Sequence, residues 1–142
     1  MKISTRGRYG IRLMIDLAEH NETDCVALSS IAERLNISVR YLEQVAIILR
    51  RAGFIRSVKG ANGGYTLNAE SSQIIIGNVL RTLEGDMLVA DPSTERETPL
   101  ASCIRRMVYD PLNERISEII DSETLASLLG MSNDESGYMY FI

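Results

Sequence analysis

The sequence predicts a mainly α-helical protein of the α+β class, with one small β-hairpin and a long helix near its C-terminus. Apolar residues recur at helical spacing along most of the 142 residues, whereas strand-like alternation occurs only around a Gly-rich turn at residues 59–64. Apolar residues make up 45% and charged residues 24%, which is typical of a folded chain. We expect one globular unit with an appended element.

Two helices are predicted in the first 35 residues. Helix one is expected over residues 7–20, where apolar and charged positions segregate with helical period. Residues 26–28 form a short apolar stretch that suits a small strand or an extended segment before the next helix. Ser29 or Ser30 is then expected to cap a short helix, and Ser30 and Glu33 have the spacing of a capping box.

Another helix is predicted to follow this short helix closely, and the two together make a helix-turn-helix. Asn36 suits a left-handed helix end, and Ser38 can cap a helix that runs to about Ala52 and stops at Gly53. One stripe of this helix is apolar and is expected to face the core. It comprises Leu42, Val45, Ala46 and Leu49, whereas Arg40, Gln44, Ile47 and Arg51 are expected to point away.

A β-hairpin is predicted directly after this helix. Residues 54–58 and 65–67 are strand-like, and the Asn-Gly and Gly-Gly pairs between them supply the positive φ angles that hairpin turns need. Arg56 and Lys59 add positive charge. A hairpin after a helix-turn-helix is a wing, so the chain predicts a winged helix-turn-helix.

The remaining sequence predicts a helix over residues 74–83, a loop with two prolines over residues 86–100, and a long helix from Cys103. Asp110-Pro111 is expected to kink the long helix or to begin it. Residues 121–123 are expected to cap a last short helix that Gly130 closes. The domains expected are a winged helix-turn-helix (1–85), a linker (86–100), a dimerisation helix with a short C-terminal helix (101–130) and a tail (131–142).

The apolar stripe of the long helix needs a surface to pack against, and a second copy of the chain is the preferred partner. Packing onto its own domain is the alternative. A symmetric dimer would place two helix-turn-helix units on successive half-sites of a DNA duplex. The predicted dimerisation residues are Ile104, Val108, Leu112, Ile116, Ile119 and Ile120.

The charge distribution also favours a nucleic-acid partner. Residues 1–66 carry a net charge of +4, whereas residues 67–142 carry −8. Phosphate binding needs such a local positive field, even in a chain whose net charge is −4. No apolar run approaches the length of a membrane helix and residues 1–21 lack a signal peptide's apolar core, so we expect a cytoplasmic protein.

The cysteine and histidine content argues against a zinc protein or an enzyme. Cys25 and Cys103 lie far apart without a CxxC pair, and His20 is the only histidine. This pattern lacks the usual zinc spacings and offers few ways to build a nucleophile with a histidine base. We therefore expect no catalytic residue, no metal site and no cofactor.

Several motifs together resemble the Rrf-two family of bacterial winged-helix regulators. They are STRGRYGIRLMIDLA (4–18), IAERLNISVRYLEQ (31–44), LRRAGFIRSVKGANGGYTL (49–67), LEG (83–85) and, more loosely, DSETLASLL (121–129). The resemblance implies a homodimer on double-stranded DNA, with the second helix of the helix-turn-helix in the major groove. The candidate DNA-contacting residues are Ser4, Thr5, Arg6, Arg8, Ser38, Arg40, Tyr41, Glu43, Gln44, Arg51, Lys59 and Asn62.

Some branches of this family hold an iron–sulfur cluster on three cysteines after the wing. Here only Cys103 matches one of those positions, and Arg106 and Arg8 stand where other ligands occur in some branches. One thiolate per chain cannot hold a four-ligand cluster. The chain therefore resembles the cluster-free, CymR-like regulators of cysteine metabolism, and this implies a signal from a partner protein or from thiol oxidation.

Our interpretation is a homodimeric repressor controlled by a partner protein, a small ligand or thiol oxidation. One alternative is a cluster or redox sensor of the same fold that uses Cys103. Another is a protein-interaction module that has lost DNA binding. Cys25 is a second candidate redox residue, and its alternative role is a packed cysteine without redox chemistry.

Overall fold

The computed structural model describes residues 1–91 and 94–131, and it has the winged-helix fold. The expected tail lies outside these residues, except for Met131. In chain order the elements are α1 (Thr5–Glu19), α2 (Leu28–Leu35), α3 (Val39–Arg51), β1 (Ile55–Val58), β2 (Gly64–Leu67), a 3-10 turn (Ser71–Gln73), α4 (Ile76–Glu84), α5 (Pro99–Ile104), a π-helical turn (Arg105–Tyr109), α6 (Asp110–Ser122) and α7 (125–131).

The core lies between α1, α3 and α4. Leu13, Leu42 and Val79 come from these three helices and are fully buried, and Leu125 from α7 joins them. The apolar stripe predicted on α3 is confirmed, because all four of its residues are buried. Burial of one such side chain stabilises the fold by roughly 1.5–3 kcal/mol, so this cluster holds the helix-turn-helix against α1 and α4.

The turn between α2 and α3 follows the prediction. Asn36 has φ 53°, in the left-handed region, and its backbone N–H bonds to the end of α2. The Ser38 hydroxyl accepts a hydrogen bond from the Tyr41 N–H at 3.4 Å and caps α3. These local contacts fix where α3 begins and therefore which side chains stand on its first turn.

The predicted cap of α2 is wrong. The helix begins at Leu28 after Ala27, without a side-chain cap, and Ser30 lies within it. The cause is a tertiary contact, because the N–H groups of Val26 and Tyr65 each donate to the other's carbonyl, at 2.8 and 2.9 Å. This pairing anchors the chain to the hairpin immediately before α2 and sets the helix start.

The predicted hairpin is confirmed. Strands β1 and β2 are antiparallel, with Ile55 opposite Leu67 and Val58 opposite Gly64. The prediction that the Asn62-Gly63 and Gly63-Gly64 pairs supply the positive φ angles is wrong, because the positive φ in this turn is at Gly60, at 125°. A Cβ at Gly64 would lie 2.1 Å from the Val26 carbonyl oxygen, so only glycine lets the hairpin approach the loop before α2 this closely.

The long helix starts at Pro99, earlier than the predicted start at Cys103, and this shortens the predicted loop. The Thr98 hydroxyl accepts a hydrogen bond from the Ala101 N–H at 3.1 Å, and proline suits the first helical turn. Pro111 has no N–H and its ring needs space, and it is the second residue of α6, two positions after the π-helical turn. No helix among residues 1–91 and 94–131 is long and apolar enough to cross a membrane.

The end of the long helix is fastened to α4. Arg81 makes a bidentate ion pair with Asp121, with N–O distances of 2.7 and 2.9 Å, and this guanidinium lowers the pKa of the Asp121 carboxyl. Ile75 and Thr124 form an isolated β-bridge beside it. The long helix therefore has a defined direction relative to the winged-helix unit.

The last helix differs from its prediction at both ends. Thr124, instead of residues 121–123, caps α7, because its hydroxyl accepts a hydrogen bond from the Ser127 N–H at 3.1 Å. Gly130 lies inside the helix instead of closing it. Helices α1 and α4 also differ slightly from their expected ranges of 7–20 and 74–83.

Candidate nucleic-acid interface

The first turns of α3 present polar side chains to solvent. Ser38, Arg40, Glu43 and Gln44 are all exposed, because the apolar stripe occupies the opposite side of the helix. An exposed first turn with hydroxyl, guanidinium, carboxylate and amide groups can make hydrogen bonds to base edges in a major groove. The structure thus brings these four predicted residues together.

The N-terminal arm, residues 1–4, leads into α1 beside α3. The Ser4 hydroxyl caps α1, because it accepts a hydrogen bond from the Gly7 N–H at 3.3 Å. Thr5 and Arg6 are exposed at the start of the helix, and Arg8 donates to the Thr5 hydroxyl at 3.1 Å. The end of the arm and the first turn of α1 therefore carry hydroxyl and guanidinium groups close together.

The arm and α3 form one open cleft of about 340 Å³. Ser4, Thr5 and Arg6 line one side, and Tyr41 and Gln44 line the other. These five residues come from two segments that are more than 30 positions apart in the sequence. The cleft joins the two groups of predicted DNA contacts in one surface.

Tyr41 is placed by aromatic packing rather than by a polar contact. Its ring meets Tyr9 of α1 edge-on, with centroids 5.6 Å apart and planes at 88°. The guanidinium of Arg12 lies 5.7 Å from the Tyr9 ring centroid. Such contacts stabilise the angle between α1 and α3, and so the shape of the cleft.

The tip of the hairpin carries Lys59 and Asn62, which are both exposed. The Cys25 thiol donates a hydrogen bond to the Asn62 backbone carbonyl at 3.1 Å. Cys25 lies in the loop after α1 and is half-buried. This contact ties the wing tip to that loop.

Three of the five cations in the predicted set are exposed on the first turns of α1 and α3 and at the wing tip. Within the described parts of the chain, the ion pairs do not include Arg6, Arg40 or Lys59. A cation paired with a carboxylate would offer phosphates little net charge. These side chains therefore supply positive charge to one surface.

Other predicted residues lie elsewhere. Arg51 is at the far end of α3, about 16 Å along the helix from its first turn at 1.5 Å per residue. Cys103 is exposed on α5. The structure adds Arg50 as an exposed cation at the end of α3 and Glu84 as a partner of Ser4. The motif LEG was the sequence signal for Glu84.

The long helix exposes apolar side chains on one face. Ile104, Val108, Leu112 and Ile119 of the predicted stripe are 37–55% exposed, and Leu100 and Met107 are about 70% exposed. Ile120 differs, because it packs against the core, and Ile116 is half-buried. An apolar face of this extent is unusual on a monomer's surface.

A cavity of about 300 Å³ lies between the loop after α4 and the long helix. Leu88 and Ala90 line the loop side, and Arg105 and Tyr109 line the helix side. Glu97, also at this cavity, accepts hydrogen bonds from Ser102 and Arg105, and these contacts lower the pKa of its carboxyl. The cavity is at the small end of the range for ligand sites.

A winged helix-turn-helix with a polar first turn on α3 agrees with the family comparison. The sequence model of Rrf2, described as an iron-dependent transcriptional regulator, matches residues 3–130. The chain belongs to the Rrf2 family. Together with the relatives below, this match shows that the protein is a DNA-binding transcription regulator, as the sequence predicted.

Three relatives show the extent of the similarity. The transcriptional regulator CymR of Bacillus subtilis is 37% identical over the full length of both chains, and its structure superimposes with a TM-score of 0.79 over 92% of this chain and 98% of that one. The T. potens IscR structure is 38% identical, with a TM-score of 0.77 over 99% and 96%. The oxidised form of Staphylococcus aureus CymR is 40% identical, with a TM-score of 0.73 over 91% and 96%.

The described residues of one chain do not fit an iron–sulfur cluster, although the family is described as iron-dependent. Cys25 contacts the wing, whereas Cys103 is on the long helix, so the two thiols of one chain belong to different parts of the fold. The described residues contain no group of three His, Cys, Asp or Glu side chains able to hold a metal ion. The donor set therefore gives no basis for a cluster-dependent step.

Proposed function

We propose that the protein is a cytoplasmic, homodimeric repressor that holds an operator with α3, the N-terminal arm and the wing. The dimer covers a promoter and blocks polymerase. It works without an iron–sulfur cluster, and its signal is a partner protein, a small ligand or oxidation of a thiol.

The cleft between the arm and α3 is the observation that carries this proposal. We infer that Thr5 and Arg6 contact a phosphate while Arg40 and Gln44 face the bases, and the lining of the cleft by Thr5, Arg6 and Gln44 supports this. Phosphate contacts set the position of the protein on the duplex, and contacts to base edges select the sequence. The unpaired cations of this surface fit that division of roles.

The exposed apolar face of the long helix supports a homodimer. Its side chains stand on a helix whose end is fixed to α4 by Arg81 and Asp121, so a symmetric pairing would hold two winged-helix units at a set spacing. DNA half-sites are one helical turn apart, or a multiple of it, and such spacing needs a rigid connection. The second copy is therefore the partner that this face fits best.

Salt-dependent binding to a duplex tests the proposal. The wild type is used to select duplexes from a random-sequence pool, and the selected duplex is then titrated by fluorescence anisotropy at several salt concentrations. A protein that neutralises phosphates shows log affinity falling linearly with log salt concentration. Absence of binding at low salt would instead favour a protein-interaction module.

Arg40→Ala is expected to weaken binding to the selected duplex by roughly 1–3 kcal/mol, about 5- to 150-fold, if Arg40 contacts a base with both nitrogens. The loss should be largest for the selected sequence and small for a scrambled one. Arg96→Ala removes an exposed arginine from the loop before α5 and serves as the control. Equal affinities for Arg40→Ala and wild type, with the fold intact, would show that Arg40 is only solvated.

Peroxide is expected to abolish DNA binding by the wild type and to spare Cys25→Ser. Oxidation of the thiol to a sulfenic acid adds an oxygen atom where Cys25 now meets the Asn62 carbonyl at the wing tip. Serine keeps a hydrogen-bond donor there but does not oxidise. That S. aureus CymR has an oxidised form supports testing this signal.

Anisotropy before and after peroxide, with reversal by a thiol reductant, measures the effect. Cys103→Ser is the matched control and should behave as the wild type does. Equal loss of binding in the wild type and in Cys25→Ser would remove Cys25 as the switch, and protection by Cys103→Ser alone would assign the signal to the long helix.

A further inference from the structure

The last turn of α4 reaches the N-terminal arm. One carboxylate oxygen of Glu84 accepts two hydrogen bonds from Ser4, from its backbone N–H at 3.0 Å and from its hydroxyl at 2.6 Å. The same hydroxyl accepts a hydrogen bond from the Gly7 N–H. A single oxygen atom therefore holds the arm to a helix that is 80 residues away in the sequence.

Two glycines allow α4 to approach α1 this closely. A Cβ at Gly7 would lie 2.1 Å from Oε1 of Glu84, and a Cβ at Gly10 would lie 2.2 Å from Cδ1 of Leu83. Both distances are far shorter than a carbon atom can tolerate. The space that Gly7 leaves is thus filled by the carboxylate, which is a second observation that ties Glu84 to the first turn of α1.

The hydroxyl of Ser4 is engaged by these contacts. It donates to Glu84 and accepts from Gly7, so its main role in this structure is to support the start of α1. Thr5 and Arg6 follow directly and line the cleft beside α3. The position of those two side chains depends on where the arm is held.

We propose that Glu84 is a positioning residue for DNA binding, which holds the arm so that Thr5 and Arg6 face the cleft. Glu84 is not a phosphate contact, because a carboxylate repels phosphates. It acts through Ser4 and the first turn of α1. This inference rests on the proposed function, since it requires that the protein bind a duplex through this surface.

The sign of the effect separates positioning from charge. Removal of a carboxylate close to a DNA-facing surface reduces repulsion and should tighten binding if charge alone acts. A positioning role requires the opposite, a loss of affinity in Glu84→Ala. The affinity for DNA is expected to fall roughly 10-fold or more, because two hydrogen bonds to a charged acceptor no longer hold the arm.

Anisotropy with the duplex selected by the wild type, at several salt concentrations, measures both affinity and the number of phosphates neutralised. Glu84→Ala is expected to bind roughly 10-fold more weakly, with a salt slope smaller by about one unit per half-site. Glu84→Gln keeps an oxygen that can accept both hydrogen bonds, and it should bind nearly as well as the wild type. Asp86→Ala makes the same change of charge two residues later and should not weaken binding.

Gly7→Ala provides a test that leaves Glu84 and the net charge unchanged. Its methyl group would displace the carboxylate, so binding should weaken although alanine favours a helix more than glycine does. In the Glu84→Ala background no carboxylate stands beside residue 7. Gly7→Ala should therefore have little further effect on DNA affinity. The two substitutions are therefore expected to be non-additive.

Several results would overturn the proposal. Tighter binding by Glu84→Ala would show that only charge acts there, and unchanged binding would show that Glu84 has no role in DNA binding. A lower melting temperature with an unchanged salt slope would show a purely structural role, and additive effects of Gly7→Ala and Glu84→Ala would separate the two residues. If the wild type itself binds no duplex, the proposed function fails instead.

Discussion

Val108→Glu is expected to convert the protein from a dimer into a monomer and to reduce its affinity for a two-half-site operator by about 100-fold or more. Val108 is 45% exposed in the single chain and lies on the apolar face of the long helix. A carboxylate there costs little in a monomer, whereas in a symmetric dimer the substitution introduces two charges into an apolar interface.

Light scattering measures the mass, and anisotropy measures the affinity for a full operator and for a single half-site. The half-site affinity should be nearly the same for the variant and the wild type, because the loss comes from coupling between two winged-helix units. Gln73→Glu adds the same charge at an exposed position outside the long helix and serves as the control. A variant that remains dimeric with full operator affinity would exclude this face as the interface.

Arg34→Met is expected to destabilise the protein by roughly 3 kcal/mol, because it leaves a buried carboxylate without its main partner. Asp16 of α1 is only 5% exposed and makes a bidentate pair with Arg34 of α2, at 2.7 and 3.0 Å. This pair joins α1 to the helix-turn-helix. His20 Nδ1 lies 3.5 Å from the same carboxylate.

Arg81→Met is the matched control for Arg34→Met. Arg81 makes the same kind of bidentate pair, but its partner Asp121 is 43% exposed rather than buried. Solvent screens such a pair, so the control should lose much less stability than Arg34→Met does. Urea unfolding followed by circular dichroism gives the free energy of unfolding of both variants. Equal decreases would show that the burial of Asp16 does not strengthen its ion pair.

Local features of the structure were predicted well from the sequence. The left-handed residue Asn36, the cap at Ser38 and the position of the hairpin each depend on neighbours within a few positions. The start of the long helix at Pro99 was missed although Thr98-Pro99 is a local signal of a helix start. The two prolines instead indicated a loop over residues 86–100.

Contacts between distant segments were not predictable in the same way. The start of α2 follows from the pairing of Val26 with Tyr65, which overrode the capping-box spacing at Ser30. The hydrogen bonds between Glu84 and Ser4 are of the same kind. Each contact depends on how the helices pack. No residue spacing along the chain shows which distant segments come within hydrogen-bonding distance.

The sequence by itself determined the helices and the wing, because helical period, capping residues and turn glycines act over short stretches of chain. The resemblance of its motifs to the Rrf2 family, with the charge segregation, indicated the DNA-binding function. The tertiary structure alone decided that the arm meets α3 in one cleft, that Glu84 holds this arm, and that Asp16 is buried with Arg34. These features depend on the angles at which α1, α3 and α4 pack, and those angles arise from many side chains acting together.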